Sequence, residues 1–294
     1  LWLTNGTLNV GGDFAVTGTF SNRSFHTSSS HTTVLDGSSA QAVSFANPAS
    51  SLESFHHLQI ENPAGVTFST TATATGQVDV AAGAGTVTGT DVEVEVGTGL
   101  TDPGEHWLVP TTRVIGTLTV LPPVMTTTLA FSANNTLPNN FTLNGDLVVD
   151  NVDVHVATAQ ANVTGALSVT GASANLGMQS AGGVLDVDGN ATFNGSDGYL
   201  WLTNGTLKVG GDVTVTGTFS NRSFHTSSSH TTVLDGTSAQ TVSFANPSSS
   251  LESFTNLTVE NGVGLTLASD MVVSGTFTVP NTVSASITGT GNET

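Results

Sequence analysis

Four phrases between residues 144 and 215 share one form: NGDLVV (144–149), TGALSV (164–169), DGNATF (188–193) and GGDVTV (210–215). Each sets a glycine ahead of a short alternation of apolar and polar side chains. The glycines Gly145, Gly165, Gly189 and Gly211 follow one another at steps of 20, 24 and 22. Related phrases stand at GGDFAV (11–16), TGQVDV (75–80), IGTLTV (115–120) and SGTFTV (274–279), and the interval from Gly12 to Gly76 reads as three further steps. Alternation with period two is the mark of a strand. A beat this short leaves room for one strand-and-turn coil per beat. No window places apolar residues at i, i+3, i+4 and i+7, so the sequence predicts negligible helix. A single coil cannot bury its Val, Leu and Phe face alone, whereas stacked coils bury a continuous core and hydrogen-bond each strand to the coils on either side. The reading is all-β: a right-handed parallel β-solenoid with coils of 20–24 residues. The alternative, tandem antiparallel β-sandwiches of about 100 residues, explains the strands but not the beat.

A longer duplication is superimposed on that beat. Leu1–Asn62 aligns without a gap onto Leu200–Asn261, an offset of 199, with ten differences in 62 positions. Both copies contain LWLTNGTL, VTGTFSNRSFHTSSSHTTVLDG, SFANP and SSLESF. The chain therefore divides into a first long repeat, 1–199, irregular at about 83–138, and a partial second copy, 200–294. Phe20, Phe25, Phe45 and Phe55, repeated as Phe219, Phe224, Phe244 and Phe254, are expected inward rungs. At about 22 residues and about 4.8 Å per coil, one period winds roughly nine coils and advances roughly 43 Å. The chain lacks an initiating Met and opens in patterned text, so it reads as a processed or excised piece. Neither end reads as a cap, which predicts continuation by further repeats or by head-to-tail stacking of subunits.

Composition narrows the function classes. Thr (49) and Ser (32) together exceed a quarter of the 294 residues, while only 9% are charged, against about 25% in an ordinary soluble domain. Hydroxyls and amides must therefore cover the surface. A net charge of −18 repels polyphosphate, which excludes nucleic acid as a partner. No run of 18 apolar residues exists, so no transmembrane segment is expected. The absence of cysteine excludes disulfides, thiolate zinc sites and thiol catalysis. N-x-S/T sequons begin at Asn5, Asn22, Asn134, Asn140, Asn162, Asn190, Asn194, Asn204, Asn221, Asn256 and Asn292. These are the candidate glycosylation sites, and with the Ser/Thr surface and the single lysine they favour an extracellular location.

The phrase HTTVLDGTSAQTVSFANPSSSLESFTNLTVENGVGLTLASDMVVSGTFTV (230–279) resembles the β-strand-repeat regions of large secreted bacterial and archaeal surface proteins. The matching stretches are Asp235–Val242, Phe254–Leu267 and Asp270–Val279, with an earlier copy at Asp36–Val43 and Phe55–Phe68. The resemblance covers about half the chain. It implies a parallel β-solenoid stalk, fibre or adhesin on a cell surface, and it carries no catalytic residues.

Candidate chemistry is sparse. His26 and His31, repeated as His225 and His230, sit in SFHTSSSH, a spacing that fits no standard two-imidazole site, and read as exposed loop residues. His56 and His57 would point to opposite faces of a strand, and the second copy replaces them by Thr255 and Asn256. Asp186, Asp188 and Asn190 have the D-x-D-x-N look of a calcium loop, but Ala191 stands where the turn requires glycine. Calcium is thus the one cofactor candidate, and a weak one. Asp91, Glu93 and Glu95 read as an outward acidic row, with Val92, Val94 and Val96 inward. The four basic residues, Arg23, Arg113, Lys208 and Arg222, and the lack of a phosphate loop or nucleophile elbow speak against an enzyme. The Thr-x-Thr rows at Thr86–Thr88, Thr117–Thr119 and Thr214–Thr216 do not recur at one step, which argues against ice binding. The expected role is a structural repeat unit of an extracellular or cell-surface filament, stalk or sheath that self-associates axially through stacked β-coils. The alternative is a surface adhesin that binds a receptor or glycan.

Overall fold

The computed structural model describes residues 1–18, 24–48, 52–156, 160–195, 200–217, 222–249, 251–280 and 286–289. Phe20, Asn22, Arg23, Phe219, Asn221 and Asn292 lie outside the described residues. Strand makes up 51% of the chain, no helix occurs among the described residues, and parallel sheets stack as a β-solenoid of about 12 turns. The turns belong to two compact units, Leu1–Ala133 and Asn134–Thr294. Parallel stacking throughout replaces the antiparallel sandwich alternative.

In the first unit one sheet runs through Trp2–Val10, His26–Leu35, His57–Ile60, Gln77–Val80 and Gly99–Thr101. A second runs through Phe14–Val16, Gln41–Phe45, Val66–Phe68, Val87–Gly89 and Trp107–Leu108. The third contains Ala72–Ala74, Glu93–Val96, Thr111–Val114 and Thr128–Phe131. In the second unit, Phe141–Leu143, Gln160–Val163, Val184–Val187, Thr206–Val209, Thr231–Leu234, Asn256–Val259 and Phe277–Thr278 form one sheet. Leu147–Asp150, Leu167–Thr170, Ala191–Asn194, Val213–Val215, Gln240–Phe244, Leu265–Leu267 and Ile287–Gly289 form another. Asn135–Leu137, Asp153–Val156 and Asn175–Gly177 make a short third. The unit boundary places the second long copy together with the turns that precede it.

Register gives the turn length directly. Leu143, Val163, Val187, Val209, Leu234 and Val259 stack in one column, at steps of 20, 24, 22, 25 and 25 along the chain. The beat read from the glycines thus holds before the second copy, and the duplicated segment winds longer turns. On the neighbouring sheet Val16 pairs with Phe45 and Val215 with Phe244, steps of 29 in both copies. Within the stretch expected to be irregular, Val96, Val114 and Phe131 pair at steps of 18 and 17. Gly12 follows the strand Trp2–Val10, whereas Gly76 precedes the strand Gln77–Val80 of the same sheet. The interval between these two glycines is therefore not a whole number of turns.

Alternation does what the pleat requires, sending successive side chains to opposite faces. In Val184–Val187 the inward Leu185 and Val187 are both 0% exposed, while Val184 and Asp186 are half-buried. The aromatic rungs are inward as expected: Phe25, Phe45 and Phe55 in the first copy and Phe224, Phe244 and Phe254 in the second are all buried. Val92, Val94 and Val96 are buried beneath the acidic row. One substitution between the copies is compensated in space. In the second copy Phe193, from the preceding turn, packs on Phe224 at 4.8 Å between ring centroids. In the first, Phe14, which stands where the second copy has Val213, packs on Phe25 at the same 4.8 Å.

Val215 lies in the column beside these rings and is 1% exposed. Val215→Ala removes two methyl groups from a fully buried site between Phe193 and Phe244 in the sheet. It should cost about 2 kcal/mol, read as a lower urea midpoint at unchanged slope.

Candidate functional site

The duplicated sequence builds the same buried polar corner twice. In the first copy Gln41 donates through Nε2 to the carbonyls of Val10 (2.7 Å) and Gly12 (2.5 Å). Its Oε1 accepts from Gly37 N (3.0 Å) and from Asn62 Nδ2 (2.8 Å). Asn62 also donates to Ser39 O and accepts from Ala64 N. In the second copy Gln240 bonds Val209 O, Gly211 O, Gly236 N and Asn261 Nδ2, and Asn261 bonds Ser238 O and the amides of Val263 and Gly264. All four amide side chains are at most 2% exposed. A buried amide is tolerated only when its bonds are made, and these clamp three successive turns at one edge. Gly37 and Gly236 complete the corner, since a Cβ on Gly37 would lie 2.7 Å from the carbonyl oxygen of Gly11.

The histidines do not lie where the sequence places them. His31 and His230 are buried, 2% and 0% exposed, rather than in an exposed loop. A left-handed serine, Ser29 (φ 59°) or Ser228 (φ 55°), turns each imidazole inward. His230 Nδ1 lies 2.9 Å from Asn204 O and His31 Nδ1 3.3 Å from Asn5 O. A carbonyl only accepts, so Nδ1 carries the proton and Nε2 is left bare, buried and without a hydrogen-bond partner in both copies. Burial pulls the His230 pKa down to about 4, and the ring is neutral at pH 7.

His56 and His57 also depart from expectation. A bend at His56 brings their rings together, 4.4 Å between centroids. Desolvation, then the neighbouring His57, lowers the His56 pKa. His57 Nδ1 accepts from Gln77 N (3.2 Å), which puts its proton on Nε2 and denies that nitrogen to a metal.

Asp186, the first calcium candidate, faces a cation already present: Lys208 Nζ lies 3.5 Å from Asp186 Oδ2 and 2.6 Å from Asp235 Oδ2. The hydrogen bond to Asp235 raises the lysine pKa. Asp188 is exposed, and Asn190 uses its side-chain oxygen to accept from Asp212 N (2.8 Å). Among the described residues no group of three or more His, Asp or Glu is placed to hold a metal. In the acidic row Glu93 pairs with Arg113 (2.8 Å) and Glu95 accepts from Thr73 (2.6 Å). That row is a laced strand face, worth a few tenths of a kcal/mol per exposed pair.

One cluster escaped the sequence reading. Asp102, 6% exposed, accepts from Gly104 N, from His106 Nδ1 (2.8 Å) and from Trp107 N (2.6 Å). Trp107 Nε1 donates to Thr112 Oγ1, which bonds Thr127 Oγ1. The tripeptide Asp-Pro-Gly was the available signal, an Asx-turn in which the carboxylate satisfies the amides that follow it.

The sequons separate by environment. Asn5, Asn134, Asn140, Asn190 and Asn194 are exposed, whereas Asn162, Asn204 and Asn256 are half-buried. Asn134 is tied to Asp153 through both ends of its amide, and Asn256 bridges His230 O and Thr276 N. Asn5 and Asn204 each precede a glycine with positive φ, Gly6 (83°) and Gly205 (72°).

The described residues also expose apolar side chains at two turns. Leu1 and Trp2 are 65% and 71% exposed and form a cleft with His26 and Leu52, while Phe277, Val279 and Ile287 are 47%, 36% and 38% exposed. No protein-family model, no curated protein and no solved structure matches the chain. The solenoid expected from the resemblance to surface β-strand repeats is present. No helix among the described residues is long and apolar enough to cross a membrane.

Proposed function

We propose that this chain is a structural repeat unit of an extracellular or cell-surface filament, stalk or sheath, its turns stacked along the filament axis. The observation that carries this reading is the repetition, one long period apart, of one complete corner: Gln41 with Asn62, and Gln240 with Asn261. A rod assembled from repeats needs every turn to meet its neighbour through the same framework, and duplicated corners supply it. The resemblance to the repeat regions of secreted bacterial and archaeal surface proteins supports the same reading, as does a surface of hydroxyls and amides with few charges. Electron microscopy of the native material tests it. Regular fibres or a sheath with an axial repeat of roughly 43 Å, the advance of one 199-residue period at about 4.8 Å per turn, are expected. Single particles dispersed on a target surface would replace this reading by an adhesin.

Glycosylation belongs to the same proposal. Sugar attached to Nδ2 replaces one of its hydrogens, so the exposed Asn140 and Asn194 should be modified in preference to Asn134 and Asn256, whose amide nitrogens are engaged. Intact-mass measurement followed by glycopeptide mapping reads this out. A native mass equal to that of the bare polypeptide would reject it.

A further inference from the structure

We infer that each copy of the duplicated segment encloses one ordered water molecule, held between its inward histidine and a threonine two residues further along the same strand. The pairs are His230 with Thr232 and His31 with Thr33. The inference concerns the interior of single turns and is independent of the filament reading. Thr232 interrupts an apolar column: Ala161, Leu185, Leu207, Thr232 and Leu257 lie one above another on the inward face, all buried. Thr33 stands in the equivalent column, between Leu8 and Leu58, with Val78 and Leu100 beyond. Threonine fills such a place no better than valine, and its hydroxyl is unfavourable there unless it is hydrogen-bonded.

Both threonines are 0% exposed, and neither Oγ1 has a hydrogen-bond partner within the protein. Buried hydroxyls nearby do find such partners: Thr27 and Thr226 donate to the carbonyls of Ser54 and Ser253, each at 3.1 Å. What sets Thr33 and Thr232 apart is a second unmet group on the same face. Alternation with period two brings His31 to the side of Thr33 and His230 to the side of Thr232, and all four residues are buried. Each imidazole donates through Nδ1 to a carbonyl, that of Asn5 or Asn204. Its Nε2 can therefore only accept, while the threonine hydroxyl is free to donate or accept.

The two groups are complementary, yet they do not bond each other in either copy. Side chains two residues apart on a strand spring from points about 6.7 Å apart, too far for a direct bond between groups that stand side by side. Two hydrogen bonds of about 2.8 Å, joined at one bridging oxygen, fit that interval. A water molecule makes both bonds, giving a hydrogen to Nε2 and accepting the hydroxyl proton. The chemistry of the site selects water over other occupants. Above and below Thr232 lie Leu207 and Leu257, which offer a larger polar ligand nothing to bond. No group of three or more His, Asp or Glu among the described residues is placed to hold a metal, and one imidazole with one hydroxyl is too small a ligand set for a cation.

Crystals of the full chain that resolve ordered solvent, with chemical unfolding of Thr33→Val and Thr232→Val, test the assignment. In the wild type one water should lie within hydrogen-bond distance of both Nε2 and Oγ1 in each copy. Thr232→Val keeps the shape of the side chain and should lose the water beside His230 alone, and Thr33→Val the water beside His31 alone. Loss of the bridge should lower the folding equilibrium constant about five- to tenfold. Removing an idle hydroxyl from a leucine column would raise it instead, so the sign of the change decides. Thr232→Ser retains the hydroxyl and should retain the water, whatever the missing methyl group costs. Wild-type crystals in which Nε2 and Oγ1 bond each other directly, or meet no water, overturn the inference. So does a gain in stability in both valine variants. Should a valine variant fail to fold, the solvent seen in the wild type and in Thr232→Ser still decides.

Discussion

Replacing Gln240 by leucine should destabilise the second copy by about 2–4 kcal/mol, about 2 kcal/mol for the buried Gly236 amide and up to as much again for the half-buried Gly211 carbonyl, although volume and shape are nearly conserved. Gln240 is 1% exposed and makes four hydrogen bonds, to Val209 O, Gly211 O, Gly236 N and Asn261 Nδ2. Leucine removes them all. Val209 O keeps a bond from Asp235 N, and Asn261 Nδ2 keeps Ser238 O, but the Gly236 amide and the Gly211 carbonyl lose their side-chain partner inside the protein. Each buried polar group left unmet costs about 1–3 kcal/mol. Gln240→Glu should do no better at neutral pH, because its carboxylate would face two carbonyls. Chemical unfolding measures the loss, and hydrogen exchange of the Gly236 amide locates it. A change below about 1 kcal/mol would mean that water replaces the glutamine, and the corner would lose its structural importance. Gln41→Leu should weaken the first copy in the same way.

Acid should weaken the second unit between pH 6.5 and 4 through His230. The sign follows from the direction of the shift. The folded ring resists protonation down to about pH 4, while the unfolded ring takes its proton near 6.5. Between those values the unfolded state binds more protons, so stability falls as pH falls, by on the order of 3 kcal/mol across the window. His56, also lowered, acts in the same direction. Glu252 opposes both at the acid end. Burial raises its pKa, so its neutral form stabilises the fold at low pH and that contribution fades as pH rises past the ordinary carboxylate range. The histidine contribution is therefore read as the difference between the wild-type and variant profiles between pH 6.5 and 4. His230→Gln keeps a donor for Asn204 O and should flatten the profile there, even if it costs stability at pH 7. An equally steep profile in the variant would assign the acid sensitivity to other groups.

Much of the fold was legible because alternation and the glycine beat are local properties of the chain. The inward phenylalanines, the buried valines beneath Glu93 and Glu95, and the stacking of NGDLVV on TGALSV could all be read from spacing alone. What escaped depends on distance along the chain. Gln41 and Asn62 stand 21 apart in sequence and Gln41 and Val10 stand 31 apart, and nothing in AQ or EN announces that the two amides meet. The stretch SFHTSSSH reads as a solvated loop, because the left-handed serine that turns His31 and His230 inward has no sequence signature. Turn lengths of 25 and 29 were hidden because similar glycine phrases occur at different corners, as Gly12 and Gly76 do. The Asp102 cluster was missed for a different reason. The turn was recognisable, but its reach to Trp107 and Thr112 was not.

The variation in turn length has a mechanical corollary. A step of 22 from Val187 to Val209 and a step of 25 from Val209 to Leu234 each advance one strand spacing, about 4.8 Å. Residues added to a turn therefore change its girth and leave its pitch untouched. Length along the stack is counted in whole turns, while the perimeter of each turn can be altered separately. Selection can then lengthen such a protein by copying turns, and redecorate its flank by inserting residues, without either change disturbing the other.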